Sequence, residues 1–379
     1  MVRPLIECQG RIYKPIELHP SLLNAIRLPV GAVSYGTTRE LFTDIASLFE
    51  RFIGFSQPEA TAIAIWSATT WFPDCVASPP SLLITGPAMD RAITLFRLLN
   101  CLCRHPLMLA DVSRSAICSL PMSLRPTLLV NQPTVSSKIR ALWRASNFPG
   151  LFVPGKAGSV VDISCPKALY SGLEEVPDSW SDTALHLALP LGRDKSSLLD
   201  VLEQSRIANH FQSRLLMYRL HNLCRVRESR LAGGQLTSPT SELARSLTAC
   251  IQGEFDSVKI VSSLLERQEQ DIMARRRCDV DVAVIEAIWA PSHEAREISV
   301  SKVTELTNAL LRCRGETLVY RATEMGWRLK NLGIYRHRNG KGMVLRFSQQ
   351  MRVRVHQLAQ ELGLMLPSID GCEDCAPPK

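Results

Sequence analysis

Short apolar runs that alternate with helix-like segments constrain the first half of the chain most strongly. The runs lie at residues 81–86, 107–110, 128–130, 167–171 and 185–189. Helical periodicity follows three of them, at 93–101, 113–120 and 136–145. A strand too short to alternate and too apolar to face water is typical of a sheet covered on both sides. The pattern therefore predicts an α/β domain with a mainly parallel sheet.

The rest of the chain divides by composition. Residues 1–38 carry turn-forming prolines and glycines, and helical patterns begin near 39 and near 59. We expect an α/β domain over 39–195, a charged helical region over 196–278, and a separate last domain over 279–365. Residues 366–379 are expected to form a flexible tail.

Bulk composition is that of a globular protein. The chain has 379 residues, of which 46% are hydrophobic and 21% charged. We find no apolar run that approaches a membrane span, and the first residues do not resemble a secretory signal. The 12 cysteines are then expected as reduced thiols, and the protein is expected in the cytoplasm.

A lone Cys-x-x-Cys near the end of the chain, Cys372 and Cys375, raises the question of a metal site. A structural zinc ion needs about four ligands, and no second pair at a suitable spacing is found. The interpretation favoured by sequence is incidental thiols, with no metal and no cofactor.

The first apolar run ends at Gly86, where a phosphate-binding loop would begin. Such a loop needs a second glycine, a lysine and a hydroxyl residue in the frame Gly-x4-Gly-Lys-[Ser/Thr]. The frame places Arg91 at the second glycine, Ala92 at the lysine and Ile93 at the hydroxyl. A shift by one residue restores a hydroxyl at Thr94 but puts Ile93 at the lysine. Neither frame supplies the positive charge.

The run at 128–130 should end in acids that hold magnesium and activate water. It ends in Asn131 and Gln132 instead. An amide has nearly the shape of the acid but no charge, and Mg²⁺ favours carboxylates and phosphates. A nucleotide site at these positions is thus predicted to be degenerate at both motifs.

The order of several stretches resembles a P-loop, AAA-like ATPase domain of unknown function found in bacterial, phage and plasmid proteins beside helicase or primase modules. The matching stretches lie at 62–66, 71–75, 83–87, 125–132, 176–183 and 329–334. Residues 125–132, Arg-Pro-Thr-Leu-Leu-Val-Asn-Gln, resemble the family's Arg-Pro-Thr-Leu-Leu-Ile-Asp-Glu. The resemblance implies a role in mobile-element replication or its control.

The departures from that family carry the functional inference. The family's P-loop lysine, its Asp-Glu pair and a downstream arginine fall on Ala92 or Ile93, on Asn131 and Gln132, and on Thr183. Loss of each charge-stabilising group slows phosphoryl transfer by orders of magnitude. The resemblance and these losses together predict a pseudo-ATPase that keeps the fold without hydrolysis.

The last domain has the sequence pattern of a winged helix-turn-helix. Helices are predicted at 282–289, 300–313 and 323–332, followed by a hairpin and a closing helix at 349–361 capped by Ser348. The hairpin signal is Asn339-Gly340 between the alternating segments 334–338 and 343–347.

One segment of this domain is strongly basic. Residues 321–354 hold nine Lys or Arg and one acid, a balance of +8 that equals the +8 of the whole sequence. A localised basic stripe is typical of polyanion binding, so DNA is the expected partner. The predicted DNA contacts are Thr323, Arg328, Lys330, Arg336, His337, Arg338, Lys341 and Arg346.

Three functions remain open from sequence. The leading hypothesis is a catalytically inactive, DNA-binding or adaptor protein. An atypical ATPase or helicase-like enzyme, completed by a partner, is the second hypothesis. A structural assembly protein, with a protein partner or as a homo-oligomer, is the third, and in it the basic residues would form only a solvated face.

Overall fold

In the computed structural model, the described residues are 6–8, 10–14, 18–76, 78–110, 112–113, 117, 119–131, 147, 150–154, 160–172, 183–190, 199–231, 239–251, 253–277, 279–340, 342–364, 366–369, 371–372 and 375. They fall into two compact units, Met1–Glu269 and Gln270–Lys379. The helix expected at 136–145 and half of the one expected at 113–120 lie outside the described residues.

A five-stranded parallel sheet organises the first unit. Its strands are β3 (Ser81–Thr85), β4 (Pro106–Leu109), β5 (Thr127–Asn131), β8 (Lys167–Ser171) and β9 (Ala184–Ala188). Their order is β4-β5-β8-β3-β9, and all four pairings are parallel. The predicted α/β class with a parallel sheet is confirmed, and the strand order is consistent with a P-loop-like core.

Helices cover this sheet. They are α1 (Pro20–Ala25), α2 (Thr38–Ile53), α3 (Gln57–Thr69) and α4 (Met89–Leu102), followed by α5 (Val201–Leu231), α6 (Pro239–Thr248) and α7 (Phe255–Arg277). Every residue of α3 from Ala60 to Thr69 is buried, because this helix lies inside one large core with α2, α4 and α5. The stretch 196–278, expected as a helical region, contributes α5, α6 and α7, and side chains from these helices up to Leu265 belong to that same core.

One glutamine side chain forms hydrogen bonds with backbone groups of β9, the outermost strand of the sheet. Gln268 on α7 accepts from the backbone N–H of His186 at 3.0 Å and donates to the carbonyl of Ala184 at 2.8 Å. An uncovered edge strand is a site for unwanted pairing, so this contact protects β9. Two small antiparallel ribbons complete the unit, β1 (Ile6–Cys8) with β2 (Arg11–Tyr13) and β6 (Phe152–Pro154) with β7 (Val160–Asp162).

The second unit has its own core. Its elements are α8 (Val280–Glu294), β10 (Glu297–Ser299), α9 (Val300–Cys313), α10 (Ala322–Asn331), β11 (His337–Asn339), β12 (Gly342–Arg346) and α11 (Gln349–Glu361). The three strands form an antiparallel sheet in the order β10-β12-β11. Among the helices that the structure describes, none has the length and apolar character to cross a membrane.

Candidate functional site

The connection from β3 to α4 is short and tightly packed. Only Gly86, Pro87 and Ala88 separate the strand from the helix. Gly86 has φ +129°, and a Cβ at this position would lie 3.2 Å from Cβ of Leu189. Glycine is therefore required here by backbone conformation and by a neighbouring strand end, independently of any phosphate.

The helix begins earlier than a phosphate-binding loop would allow. Because α4 starts at Met89, the three template positions Arg91, Ala92 and Ile93 lie inside its first turns. Ala92 is fully buried, and its N–H donates to the carbonyl of Ala88 at 3.1 Å. The guanidinium of Arg91 donates to the carbonyl of Pro190 at 2.6 Å. The groups that would face phosphates are thus committed to the protein's own backbone.

Asn131 lies at the end of β5. It is at the same edge of the sheet as Gly86, namely the edge where the carboxyl ends of the parallel strands meet. Strand β8 separates it from β3, and Tyr170 of β8 is paired with Asn131 in the register. Tyr170 is buried, which raises the pKa of its hydroxyl, and that hydroxyl donates to the carbonyl of Gly86 at 2.7 Å. Within the described part of the chain, Oδ1 of Asn131 is buried and has no hydrogen-bond partner.

Thr183 does not lie with these residues. It immediately precedes β9, whose first residue, Ala184, is paired with Ser81 at the beginning of β3. Four strand residues of about 3.3 Å each separate that level of the sheet from the end of β3. The resemblance aligns Thr183 with an arginine that could contact the γ-phosphate. The parallel register places Thr183 at the opposite edge of the sheet, where the strands begin. Gln132 lies outside the described residues.

The remaining charges at this edge do not favour a nucleotide. The acidic residue Asp90 occupies the first turn of α4, where the helix dipole would otherwise favour a phosphate. Ala92 and Ile93 carry no charge. Among the described residues, this edge retains the strand–glycine–helix order, and the template positions of the lysine and of the first acid are occupied by Ala92 or Ile93 and by Asn131.

A polar stripe runs along α10 of the second unit. Thr323, Trp327, Lys330 and Asn331 are exposed at helical spacing, whereas Met325 and Leu329 are fully buried. The ammonium of Lys330 lies 5.4 Å from the centre of the Trp327 ring, a cation–π arrangement. Met325 and Leu329 therefore pack into the core of the second unit.

The hairpin after α10 also presents basic residues, next in the chain after the stripe on α10. Strands β11 and β12 pair His337 with Val344, Arg338 with Met343 and Asn339 with Gly342, so the hairpin expected from Asn-Gly is confirmed. His337 and Arg338 are exposed. Lys341 lies outside the described residues.

Arg336 and Gly326 form one local arrangement. A Cβ at position 326 would overlap the guanidinium of Arg336. The glycine therefore lets this cation lie directly against α10. The half-buried Arg336 thereby links the stripe on the helix to the base of the hairpin.

Two of the predicted cations are engaged in ion pairs. The guanidinium of Arg328 lies 3.5 Å from a carboxylate oxygen of Asp281, and that of Arg346 lies 3.7 Å from Glu297 on the neighbouring strand. Burial and the charge of Asp279 raise the pKa of Asp281, and Arg328 opposes them. Arg328 and Arg346 are therefore oriented by these ion pairs, and Arg346 is exposed, as are Lys330 and Arg338.

Sequence reasoning missed two aromatic residues of this surface. Trp327 is 63% exposed and Tyr335 is 67% exposed. Their signal was present in the helical spacing, since Trp327 lies four residues after Thr323 on the polar side of α10. Exposed tryptophan and tyrosine beside cations are typical of binding surfaces.

Sequence reasoning also missed partners for the Cys-x-x-Cys pair. Cys372 and Cys375 lie beside His293 and His356, with donor atoms all within 4.8 Å of one another. The argument against a metal site was the absence of a second ligand pair, and the fold supplies that pair. His293 and His356 are 63 residues apart, so no local spacing in the sequence indicates their proximity.

Comparisons with known proteins do not assign a function to this chain. No protein-family model and no curated protein matches the sequence. An A-form apo structure of the NrS-1 C-terminal region gives a TM-score of 0.40 at 12% identity, over 91% of this chain and 82% of that chain. A second A-form structure of that region gives 0.41 at 12% identity, over 92% and 83%. A structure of Drosophila ORC bound to DNA gives 0.21 at 12% identity, over 94% and 96%. These TM-scores, at 12% identity, do not establish a shared fold or a shared function.

Proposed function

We propose that this chain is a DNA-binding protein. In this proposal its C-terminal unit is a winged helix, and its sheet unit is a P-loop ATPase-like scaffold that has lost hydrolysis. The observation that carries the proposal is the continuity of the exposed stripe on α10 with the basic hairpin. Thr323 and Lys330 on the helix, Arg336 at its side, and His337 and Arg338 on the hairpin form one polar, cationic surface.

The order of elements supports the winged-helix interpretation. Helix α8, strand β10, helices α9 and α10, the β11–β12 hairpin and helix α11 follow one another as in that motif. Helix α10 then takes the position of the recognition helix, and the hairpin is the wing. Asn308 supports the approach to α10, because its amide donates to the carbonyl of Tyr320 at 2.9 Å and accepts from the Tyr320 N–H at 3.0 Å.

The charge distribution supports DNA as the partner. The +8 balance of residues 321–354 equals the net charge of the chain, and cations that neutralise phosphates dominate affinity for nucleic acid. Arginine and lysine side chains on the helix could also contact base edges, and those on the hairpin would contact phosphates.

Paired substitutions test the proposal. We expect Arg336→Ala with Arg338→Ala to weaken binding of the full chain to duplex DNA and to reduce the slope of log K against log salt by roughly 2, about 0.9 per lost phosphate contact. The matched control is Arg39→Ala with Arg206→Ala, which removes two cations of the first unit that are 67% and 79% exposed. Equal effects of the two double variants, or no effect of the first, would contradict the proposal.

A protein interface is the second candidate function. It is favoured by the exposure of Trp327 and Tyr335, which flank the basic positions. Under this alternative, Trp327→Ala with Tyr335→Ala changes the sedimentation coefficient of the DNA-free protein and leaves the salt dependence of DNA binding unchanged. A loss of DNA affinity without a change in assembly state supports the first function instead.

A further inference from the structure

Four metal-binding side chains converge from three segments of the C-terminal unit. His293 lies on the last turn of α8, His356 lies on α11, and Cys372 and Cys375 lie in the segment after α11. We propose that these four residues bind one structural zinc ion, which fastens the C-terminal segment to the two helices. This site is independent of DNA binding and of nucleotide chemistry.

The distances between donor atoms fit one tetrahedral ion. Sγ of Cys372 lies 3.6 Å from Nε2 of His356, and Sγ of Cys375 lies 3.5 Å from Nε2 of His293 and 3.9 Å from Nε2 of His356. Zinc bonds of about 2.3 Å to sulfur and about 2.0–2.1 Å to nitrogen give tetrahedral S···N edges of about 3.6 Å. The two Nε2 atoms are 2.9 Å apart, so ion binding requires them to separate by a few tenths of an ångström, to about 3.3 Å.

A backbone contact orients the first histidine. Nδ1 of His293 lies 2.9 Å from the carbonyl oxygen of Trp289, an acceptor that requires the proton on Nδ1. Nε2 then presents its lone pair towards Sγ of Cys375 and Nε2 of His356. Metal-bound histidines commonly donate their other ring N–H to a carbonyl, which fixes both tautomer and ring orientation.

Trp289 contacts both histidines and the C-terminal segment. Its ring centre lies 5.1 Å from that of His293 and 4.6 Å from that of His356. Its indole N–H donates to the carbonyl of Pro367 at 3.0 Å, which brings the C-terminal segment back to α8. The backbone N–H of Cys375 donates to the carbonyl of Cys372 at 3.3 Å, which holds the two cysteines close together.

The donor set selects the ion. Two thiolates and two imidazoles in a tetrahedral arrangement are typical of zinc. Four protein ligands leave no open position for water or substrate, so the ion is structural and not catalytic. Two thiolates also neutralise the charge of Zn²⁺, which suits half-buried ligands. The alternative is a cluster of protonated thiols and imidazoles joined by hydrogen bonds alone.

Metal content of the full chain tests the site. The protein, expressed without a histidine tag in zinc-supplemented medium, is dialysed against metal-free buffer and analysed by mass spectrometry of the elements. We expect about one zinc per chain, and a roughly tenfold or greater loss for Cys372→Ser with Cys375→Ser, because two of four ligands are removed. The matched control is Cys224→Ser with Cys313→Ser, which changes two exposed thiols elsewhere and leaves the zinc content unchanged.

Cobalt substitution keeps the test independent of the folding of variants. Wild-type protein stripped of metal and reconstituted with Co²⁺ should show a sulfur-to-cobalt charge-transfer band and the strong visible absorption of tetrahedral cobalt. Absence of zinc from the wild-type protein, or zinc that persists in the Cys372/Cys375 double variant, would overturn the proposal. So would octahedral cobalt spectra or a Cys372–Cys375 disulfide found in protein prepared under reducing conditions.

Discussion

The hydroxyl of Tyr170 donates a 2.7 Å hydrogen bond to the carbonyl oxygen of Gly86, across two neighbouring parallel strands. Tyr170 belongs to β8, the strand between β3 and β5, so this bond ties the connection after β3 to the neighbouring strand at the edge where the sequence predicts a phosphate loop. The glycine that sequence assigns to a phosphate loop is fixed by the protein itself.

Gly86 should be sensitive to any side chain. We expect Gly86→Ala to lower the free energy of unfolding by about 2–3 kcal/mol, because a positive φ and contact with Leu189 act together. Gly54→Ala is the matched control, since its φ is also positive, +82°, but nothing lies near an added Cβ. It should cost about 1 kcal/mol. Urea unfolding measures both, and equal losses would contradict the packing argument.

Introducing a lysine at either motif position should destabilise the fold and should not produce ATP hydrolysis. Ala92 is fully buried, so Ala92→Lys should destabilise the protein by about 3 kcal/mol or more. Ile93→Lys, at a half-buried position in the other motif frame, should cost less. Neither variant nor the wild-type protein should show ATP turnover that a magnesium chelator abolishes. Chelator-sensitive turnover by the wild-type protein would favour the enzyme hypothesis.

The limits of sequence reasoning are visible at individual elements. Helices α9 and α11 have the predicted bounds because Ser299 and Ser348 cap them with side-chain hydrogen bonds. Helix α4 begins four residues before its predicted start at Ile93, because Ala88 caps it without a side-chain bond. Periodicity therefore had no polar signal from which to place its first turn.

Long-range contacts explain the other differences. Strand β10 was not predicted, since only its pairing with β12 defines its three residues. Strand β11 begins at His337 and not near 334, because Ile334 is fully buried and its N–H donates to Leu329 at the end of α10. The site residues in one segment, such as those of α10, were accessible to sequence, whereas those joined by folding, such as His293 and Cys375, were not.

A buried lysine makes stability depend on pH in the alkaline range. Burial lowers the pKa of Lys167 to about 8 from 10.5, with Cys165 opposing the shift. Between those values Lys167 is deprotonated in the folded protein and protonated in the unfolded chain, so its own contribution to the free energy of unfolding rises with pH from about 8 to 10.5. Below that range the penalty is complete, about 3 kcal/mol.

Lys167→Met removes that penalty. We expect the variant to be more stable than wild type at pH 7, by less than the full penalty because the ammonium also donates to the carbonyl of Cys165 at 3.2 Å. The difference should diminish as pH rises through the window. Lys259→Met, at an exposed position, is the control. Parallel pH profiles for wild type and Lys167→Met in urea unfolding would contradict the assignment.

Asp74 and Arg219 join the segment after α3 to α5. Both guanidinium nitrogens donate to the carboxylate at 2.8 Å. Burial raises the pKa of Asp74, but the hydrogen bonds and charge of Arg219 outweigh it and lower the pKa overall. The carboxylate therefore stabilises the fold above its unfolded pKa of 3.8, and this contribution is lost as pH falls below that value.

A double-mutant cycle measures this pair. Asp74→Asn and Arg219→Met should give a coupling energy of about 1–2 kcal/mol, reduced from a fully buried value because the Asp74 side chain is 36% exposed. The exposed pair Arg39–Glu254 should give less than about 1 kcal/mol in the same cycle. A larger coupling for the exposed pair would reverse the ranking that the geometry predicts.

Binding of the wild-type full chain to DNA across a salt series tests the central claim most directly. Fluorescence anisotropy with a duplex and with a single strand of equal length, from roughly 50 to 200 mM salt, gives the slope of log K against log salt. The basic surface of α10 and the hairpin predicts a linear fall for the duplex with a slope of about −3.6 or steeper, as expected for four or more phosphate contacts. No binding at the lowest salt concentration, or an affinity that does not change with salt, would contradict the proposed function.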